Sequence, residues 1–425
     1  MKRKLFIVVL AVLMLTPSIM LFAKGAEEVK ASKDVVNLKV LTVWSESRFP
    51  TWAASIDEFN KTHPNIHVDF EMAGTQASTT RMQTEMLGNN PPDVIHFWKF
   101  MLNEYAQNDQ LVALNPYLEK SGKMEGYFYD PVLVWNSPAE EGVVYGLSDF
   151  LGPSVFFYNV KMFKDLGLKV PTNLDELLAV VDKLPADVLP MVGDWKEPVN
   201  ILDTLAKIQV QTTGRGPILE TVEGKNTFPK TKGLLEAVTI MKKIVDKGLI
   251  VPKALAYDQN GATSAFISGR AAIYSDKSHA TTIIDLIKPD DFEYAMFTVD
   301  FVENPVNRYS STFGSDFAIP KKSKHPDEAW TFMNWMWSKE WQQENVVNQG
   351  QLSSIATANK EISHPIAREV AETILPYLTD DSFYLVDLLP QAALNEFGTR
   401  MHQLVLGEIN DPMFILQSVQ DAMDR

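Results

Sequence analysis

Residues 38–44 (LKVLTVW) form an apolar, β-branched run that reads as a buried strand. A helix is predicted from about Thr51 to Lys61, with Trp52, Ile56 and Phe59 on one face and Pro64 beyond its end. Residues 66–72 (IHVDFEM) alternate as a second strand, 78–87 reads as a helix ended by Gly88-Asn89-Asn90-Pro91-Pro92, and 93–98 (DVIHFW) is a third strand. Strands and helices alternating at this spacing imply βαβ units and a largely parallel sheet. The pattern returns with different residues: strands at 154–159, 188–192, 271–274 and 293–299, and helices at 175–184, 199–212, 231–247 and 260–268. Thr172 and Asp175 resemble a capping box. The Trp-rich stretch 326–342 reads as one helix, and helical segments follow at 364–377, 390–406 and 412–423.

The first residues add a compartment. Lys2-Arg3-Lys4, an apolar run from Leu5 to Phe22 and small residues at Ala23, Gly25 and Ala26 describe an export signal, removed near Ala23. The rival reading is a membrane anchor, although the run barely spans a ~30 Å hydrocarbon core and holds Pro17. The 425-residue chain has no cysteine, which excludes disulfides, thiolate metal sites, cysteine nucleophiles and a lipid anchor on cysteine. A free, exported periplasmic protein is expected. Removing residues 1–23 takes Lys2, Arg3 and Lys4 from a chain of net charge −15 and leaves −18, which argues against nucleic acid as a partner.

Five segments in order resemble the bacterial extracellular solute-binding proteins of family 1, the maltose-binding-protein-like sugar binders of ABC importers. They are LKVLTVW with IDEFNKTHPNIHVDF, PPDVIHFWKFMLNEYAQNDQLVALNPYL (91–118), VYGLSDFLGPSVFFYNVKMFKDLGLKVPTNLDELL (144–178), SAFISGRAAIYSD (264–276) and FAIPKKSKHPDEAWTFMNWMWSKEWQQE (317–344). The chain departs from the family pattern at Leu174, where a Trp is common, and at Gly350-Gln351-Leu352-Ser353, where Gly-x-x-Pro is common. The resemblance implies an α/β, two-lobed periplasmic-binding-protein fold of type II, each lobe a mostly parallel sheet flanked by helices. Lobe 1 would be 36–145 plus 295–345, and lobe 2 would be 146–294 plus 346–425. A small-molecule ligand, a carbohydrate by the resemblance, would sit in the cleft of a monomer that delivers it to permease subunits, with no cofactor, no metal and no catalysis.

Candidate ligand groups cluster at predicted strand ends, where helix-flanked sheets bind ligands. Trp44 ends the first strand with Ser45 and Glu46 behind it, and reads equally as cleft wall or core. By the resemblance, Trp98 occupies a sugar-stacking position. Trp195 lies in GDWKEP with Asp194 and Glu197 beside it, a setting hard to explain as core. Asp149 precedes a lobe crossing, Ser275, Asp276 and Lys277 follow a strand, and Gly314 and Asp316 belong to a glycine-bearing turn; each reads equally as cleft or plain loop. Aromatic faces suit the C–H faces of sugar rings, and carboxylates suit hydroxyls. Trp330, Trp335, Trp337 and Trp341 instead read as packing. A polyamine binder, or a secreted glycoside hydrolase using two cleft carboxylates, are the alternatives.

Overall fold

A computed structural model describes residues 35–43, 50–72, 75–88, 90–312 and 314–425. The export segment, Trp44, Ser45 and Glu46 therefore lie outside the described residues, as does Phe313. Among the described residues no helix is long and apolar enough to cross a membrane.

Ten strands build two sheets: β1 (Val36–Thr42), β2 (Ile66–Met72), β3 (Val94–Trp98), β4 (Leu147–Ser148), β5 (Gly152–Asn159), β6 (Leu189–Gly193), β7 (Ala271–Lys277), β8 (Tyr294–Phe297), β9 (Ser311–Thr312) and β10 (Ser315–Ala318). The first sheet has the order β2-β1-β3-β10-β4 and the second β6-β7-β5-β8, with β9 paired to β5. β1 lies parallel to both β2 and β3, with Val36 opposite Ile66 and Val40 opposite Val94. Its Leu38, Val40 and Leu41 are fully buried, as expected of a central strand covered on both faces. The helices Pro50–Thr62 and Thr75–Leu87 make the βα connections. Trp52, Ile56 and Phe59 are buried on one face of the first, and such side chains each contribute roughly 1.5–3 kcal/mol on burial.

The largely parallel expectation needs correcting for the second sheet. β6, β7 and β8 run one way, but β5 sits between β7 and β8 and runs against both. The reason is connectivity. A crossover helix returns a chain to run parallel, whereas β5 follows β4 after only residues 149–151 and so enters its sheet from the strand-end face. β10 is its counterpart, antiparallel to β3 and β4 in the first sheet. β8 and β9 pair with β5 in the second sheet, and Leu147–Ser148 pairs with β10 in the first.

At the two crossings 147–148 pairs antiparallel with 316–317, and 152–153 with 311–312. Asp149 pins them. Its Oδ1 accepts the N–H of Phe150 (2.9 Å) and of Ser315 (2.8 Å), its own N–H reaches the Ser315 carbonyl (3.0 Å), and its Oδ2 lies 3.2 Å from His96 Nε2. Gly314 makes that approach possible. It has φ +75°, and a Cβ there would stand 2.3 Å from Asp149 Oδ1 and 2.6 Å from the Phe150 carbonyl.

Two local expectations shift by a residue or more. The cap at the helix Leu174–Ala179 is Asn173, whose side chain accepts the Glu176 N–H (3.0 Å), while Glu176 reaches back to the Thr172 N–H and hydroxyl. Asn and Glu thus make the reciprocal box that Thr172 and Asp175 were expected to make. The single helix expected over 326–342 is two, Pro326–Met336 and Lys339–Asn345, because Ser338 caps the second by accepting the Trp341 N–H (3.2 Å). Trp330, Trp337 and Trp341 are buried, and Trp337 Nε1 donates to the Ser148 carbonyl at the crossing (3.1 Å).

Gly314→Ala should cost ~1–3 kcal/mol from strain alone and more from the clash with Asp149. Gly248→Ala, also at positive φ but with nothing within 4 Å of a Cβ, should cost only the strain. Thermal unfolding of the two variants checks this; equal losses would deny Gly314 its role.

Candidate functional site

Strand alternation sorts the end of β7 into two faces. Tyr274 and Asp276 share one, and the Tyr274 hydroxyl donates to Asp276 Oδ2 at 2.5 Å. Ser275 and Lys277 share the other and meet the helix Leu202–Thr212. There Thr204 Oγ1 and Lys207 Nζ approach Ser275 Oγ (3.1 and 3.2 Å), and Lys277 Nζ is 3.2 Å from Asp203 Oδ1. Asp203 and Lys207 are one helical turn apart and form an ion pair. Lys277 Nζ also lies 4.7 Å from the centre of the Tyr384 ring.

These groups surround a cavity of about 80 Å³ whose walls include Trp195, Tyr384, Asp194, Asp276, Lys277, Asn200 and Gln259. Gly193 lets the indole lie close, since a Cβ at Gly193 would come within 2.5 Å of Trp195 Nε1. The carboxylates differ in state. Burial works to raise Asp203, but Lys207 and Lys277 outweigh it and hold the carboxyl below the usual range. Lys277 is held above the ordinary lysine value: burial opposes its charge, and Asp203 more than restores it. Asp194 is pushed up to about 6, first by burial and then by the like charge of Asp276, with the Asn200 amide (3.0 Å) acting the other way.

A second buried group lies at the crossings. Lys99 Nζ is 3.1 Å from Asp316 Oδ1 and also bonds the Asn136 side-chain oxygen, while Asp316 Oδ2 has no hydrogen-bond partner among the described residues. Burial pushes Asp316 up to about 6 against the pull of Lys99. Burial likewise pushes Asp387 up to about 7, with Lys99 opposing and Asp316 assisting, and the Thr312 hydroxyl donates to it at 3.3 Å. Larger hollows, about 660 and 510 Å³, share Tyr129 and run along residues 356–381. They are open and lie away from the strand ends. The smaller cavity combines aromatic walls with convergent polar groups at strand C-termini, the setting in which α/β proteins bind ligands.

The pattern typical of bacterial extracellular solute-binding proteins matches residues 44–343. The chain belongs to that family. It is 20% identical over 309 residues to an uncharacterized ABC transporter extracellular-binding protein of Pyrococcus horikoshii, covering 70% of this chain and 68% of the relative. It is 25% identical over 298 residues to a multiple sugar-binding protein of Streptococcus mutans, covering 66% of each. A chitin oligosaccharide binding protein superposes with a TM-score of 0.75 at 19% identity, over 92% of this chain and 98% of the other. A structure from work on xylan utilization by Caldanaerobius polysaccharolyticus superposes with a TM-score of 0.76 at 17% identity, over 91% and 99%. The fold of this solute-binding protein is the two-lobed type II arrangement of periplasmic binding proteins.

Within the solute-binding protein the sequence candidates separate. Trp195, Ser275 and Asp276 line the cavity. Asp149, Gly314 and Asp316 lie at the crossings, and half-buried Trp98 ends β3 opposite Ser315. Glu197 is exposed and is not part of the cavity wall. Trp195, expected to be hard to bury, is 1% exposed. Asn200, Asp203, Gln259, His279 and Tyr384 escaped sequence reasoning because they come from separate helices and the distant C-terminal segment. Only Asp203 carried a signal, the i,i+4 pairing with Lys207.

A carboxyl raised in the folded chain holds a proton that the unfolded chain has lost. Between the unfolded value of 3.8 and about 7, Asp387 therefore makes stability fall as pH rises. Asp387→Asn should raise the Tm at pH 7.5 and leave it nearly unchanged at pH 4, measured by calorimetric melts across that window. An equal shift at both pH values would contradict the buried-carboxyl assignment.

Proposed function

We propose that this chain is the exported ligand-binding component of an ABC importer, capturing a sugar or short oligosaccharide between its lobes and delivering it to the membrane permease. The observation that carries the reading is the cavity at the end of β7. There the rings of Trp195 and Tyr384 stand beside carboxylate, amide and ammonium groups, a setting that pairs the polar substituents of a sugar against an apolar wall. The names of the Streptococcus mutans and chitin-oligosaccharide proteins support a carbohydrate ligand. The amino-terminal pattern supports export with removal of residues 1–23, and the lack of cysteine supports a free periplasmic protein. The protein acts as a monomer.

The mechanism follows from the crossings. Two lobes divide at 149–151 and at Gly314, and bending there opens and closes the cleft, a motion established for periplasmic binding proteins. Ligand touching both lobes only when closed shifts the population toward closure. Trp195, Ser275 and Asp276 form one wall. Trp98, Asp149, Gly314 and Asp316 belong to the wall that closes over it, while Glu197 lies at the rim. Binding is reversible and breaks no bond.

Calorimetry against a carbohydrate panel, with product analysis of the same mixtures, tests the reading. Saturable binding of at least one sugar without turnover is expected; cleavage of the tightest ligand would replace transport with hydrolysis. Trp195→Phe keeps a buried ring but loses the indole N–H, and should weaken that ligand by roughly 5–10-fold, the worth of a net hydrogen bond.

A further inference from the structure

The charges around the cavity do not cancel. Asp203 is served by both Lys207 and Lys277, and Lys277 is further committed to the Tyr384 ring. Asp194 and Asp276 form no ion pair among the described residues. Asp276 is served by the Tyr274 hydroxyl, its neighbour's backbone N–H (2.7 Å) and the Gln259 amide (3.4 Å), and Asp194 by the Asn200 amide. Three aspartates against two lysines leave one negative charge beside the pocket, where an unmatched charge is costly; His279 is a further titratable side chain on the cavity wall, and Asp258 adds negative charge toward Asp194. A second observation points independently to a ligand. Trp195 is 1% exposed and lines the cavity, yet its indole N–H donates to none of the described residues.

The volume sets a limit too. About 80 Å³ is far below the ~300–1,000 Å³ of ordinary small-molecule sites. The cavity therefore anchors one polar substituent of a ligand rather than enclosing an oligosaccharide.

We propose that this cavity takes the protonated amine of an amino sugar, held between Asp194 and Asp276, with the Trp195 N–H donating to an adjacent ring hydroxyl. The assignment rests on the carbohydrate reading above and narrows it. A neutral sugar supplies hydroxyl donors to the same carboxylates but leaves the negative charge unmatched. An N-acetylated sugar loses the charge. Lys207, Lys277 and Asp203 together carry one positive charge, which the two carboxylates of Asp194 and Asp276 outweigh.

The experiment is calorimetry on the protein purified from an exporting host, using matched sets: glucosamine, glucose and N-acetylglucosamine, the galactose equivalents, and chitosan and chitin dimers. At pH 7.5 an amine-bearing member should bind at least tenfold tighter than both of its counterparts. That preference should shrink as pH falls from 7 to 5 and Asp194 takes up a proton, and it should be lost in Asp194→Asn. A melting curve checks that the variant folds, and the pH series on the unaltered protein stands should it not. Neutral or N-acetylated sugars binding as tightly as the amines would overturn the inference while leaving the carbohydrate reading intact. An amine preference that survives both low pH and Asp194→Asn would remove the assignment to this cavity. If no sugar of any kind binds, both readings fall.

Discussion

The carboxylate of Asp149 holds the structure's two halves in register. Placed between two sheets, it accepts backbone N–H groups from both crossing segments and faces His96 at the end of the first sheet's central strands. It can do so only because residue 314 has no Cβ and turns through a left-handed conformation. The contact lies where the chain passes from one sheet to the other. The reversed direction of β5 and β10, the convergence of strand C-termini and the position of the cleft all follow from chains that enter each sheet at its strand-end face.

Convergence has an electrostatic consequence. Side chains at the ends of β3, β7 and β10 are brought together in a region with little water, and many are charged: Lys99 with Asp316, Lys207 and Lys277 with Asp203, Asp194 with Asp276. Burial of unmatched charge is unfavourable, so each group acquires partners or shifts its proton affinity. The lysine-paired Asp203 stays firmly ionised while Asp194, Asp316 and Asp387 are pushed toward neutrality. A region organised in this way responds to what enters it, because a ligand changes the balance that burial created.

Much of the architecture was legible along the chain. The apolar run of β1, the one-sided helix Pro50–Thr62 with Trp52, Ile56 and Phe59, and the paired helices at the C-terminus follow from periodicity, which short-range geometry enforces. The failures are equally physical. Ser338 split a helix whose apolar spacing continued through it, because a capping hydroxyl outcompetes one more turn. That β8 pairs with β5 was not legible, because an apolar strand carries no mark of the sheet it will join. Trp195 looked like a surface residue among Gly, Pro and charges, but Gly193 lets it fold flat into the interior.

By itself the sequence determined the alternation of strands and helices, the absence of sulfur chemistry, the acidic balance and the strand-end loops in which ligand groups would be found. Those properties are local or compositional, and each is set by residues within a turn or two of one another. Only the tertiary structure decided which loops meet. Asp203, Gln259, Lys277 and Tyr384 lie on four elements far apart in the chain, and nothing in their neighbours' identities reports the distance between them. Their convergence depends on how the crossings orient one sheet, and that is a property of long-range packing alone.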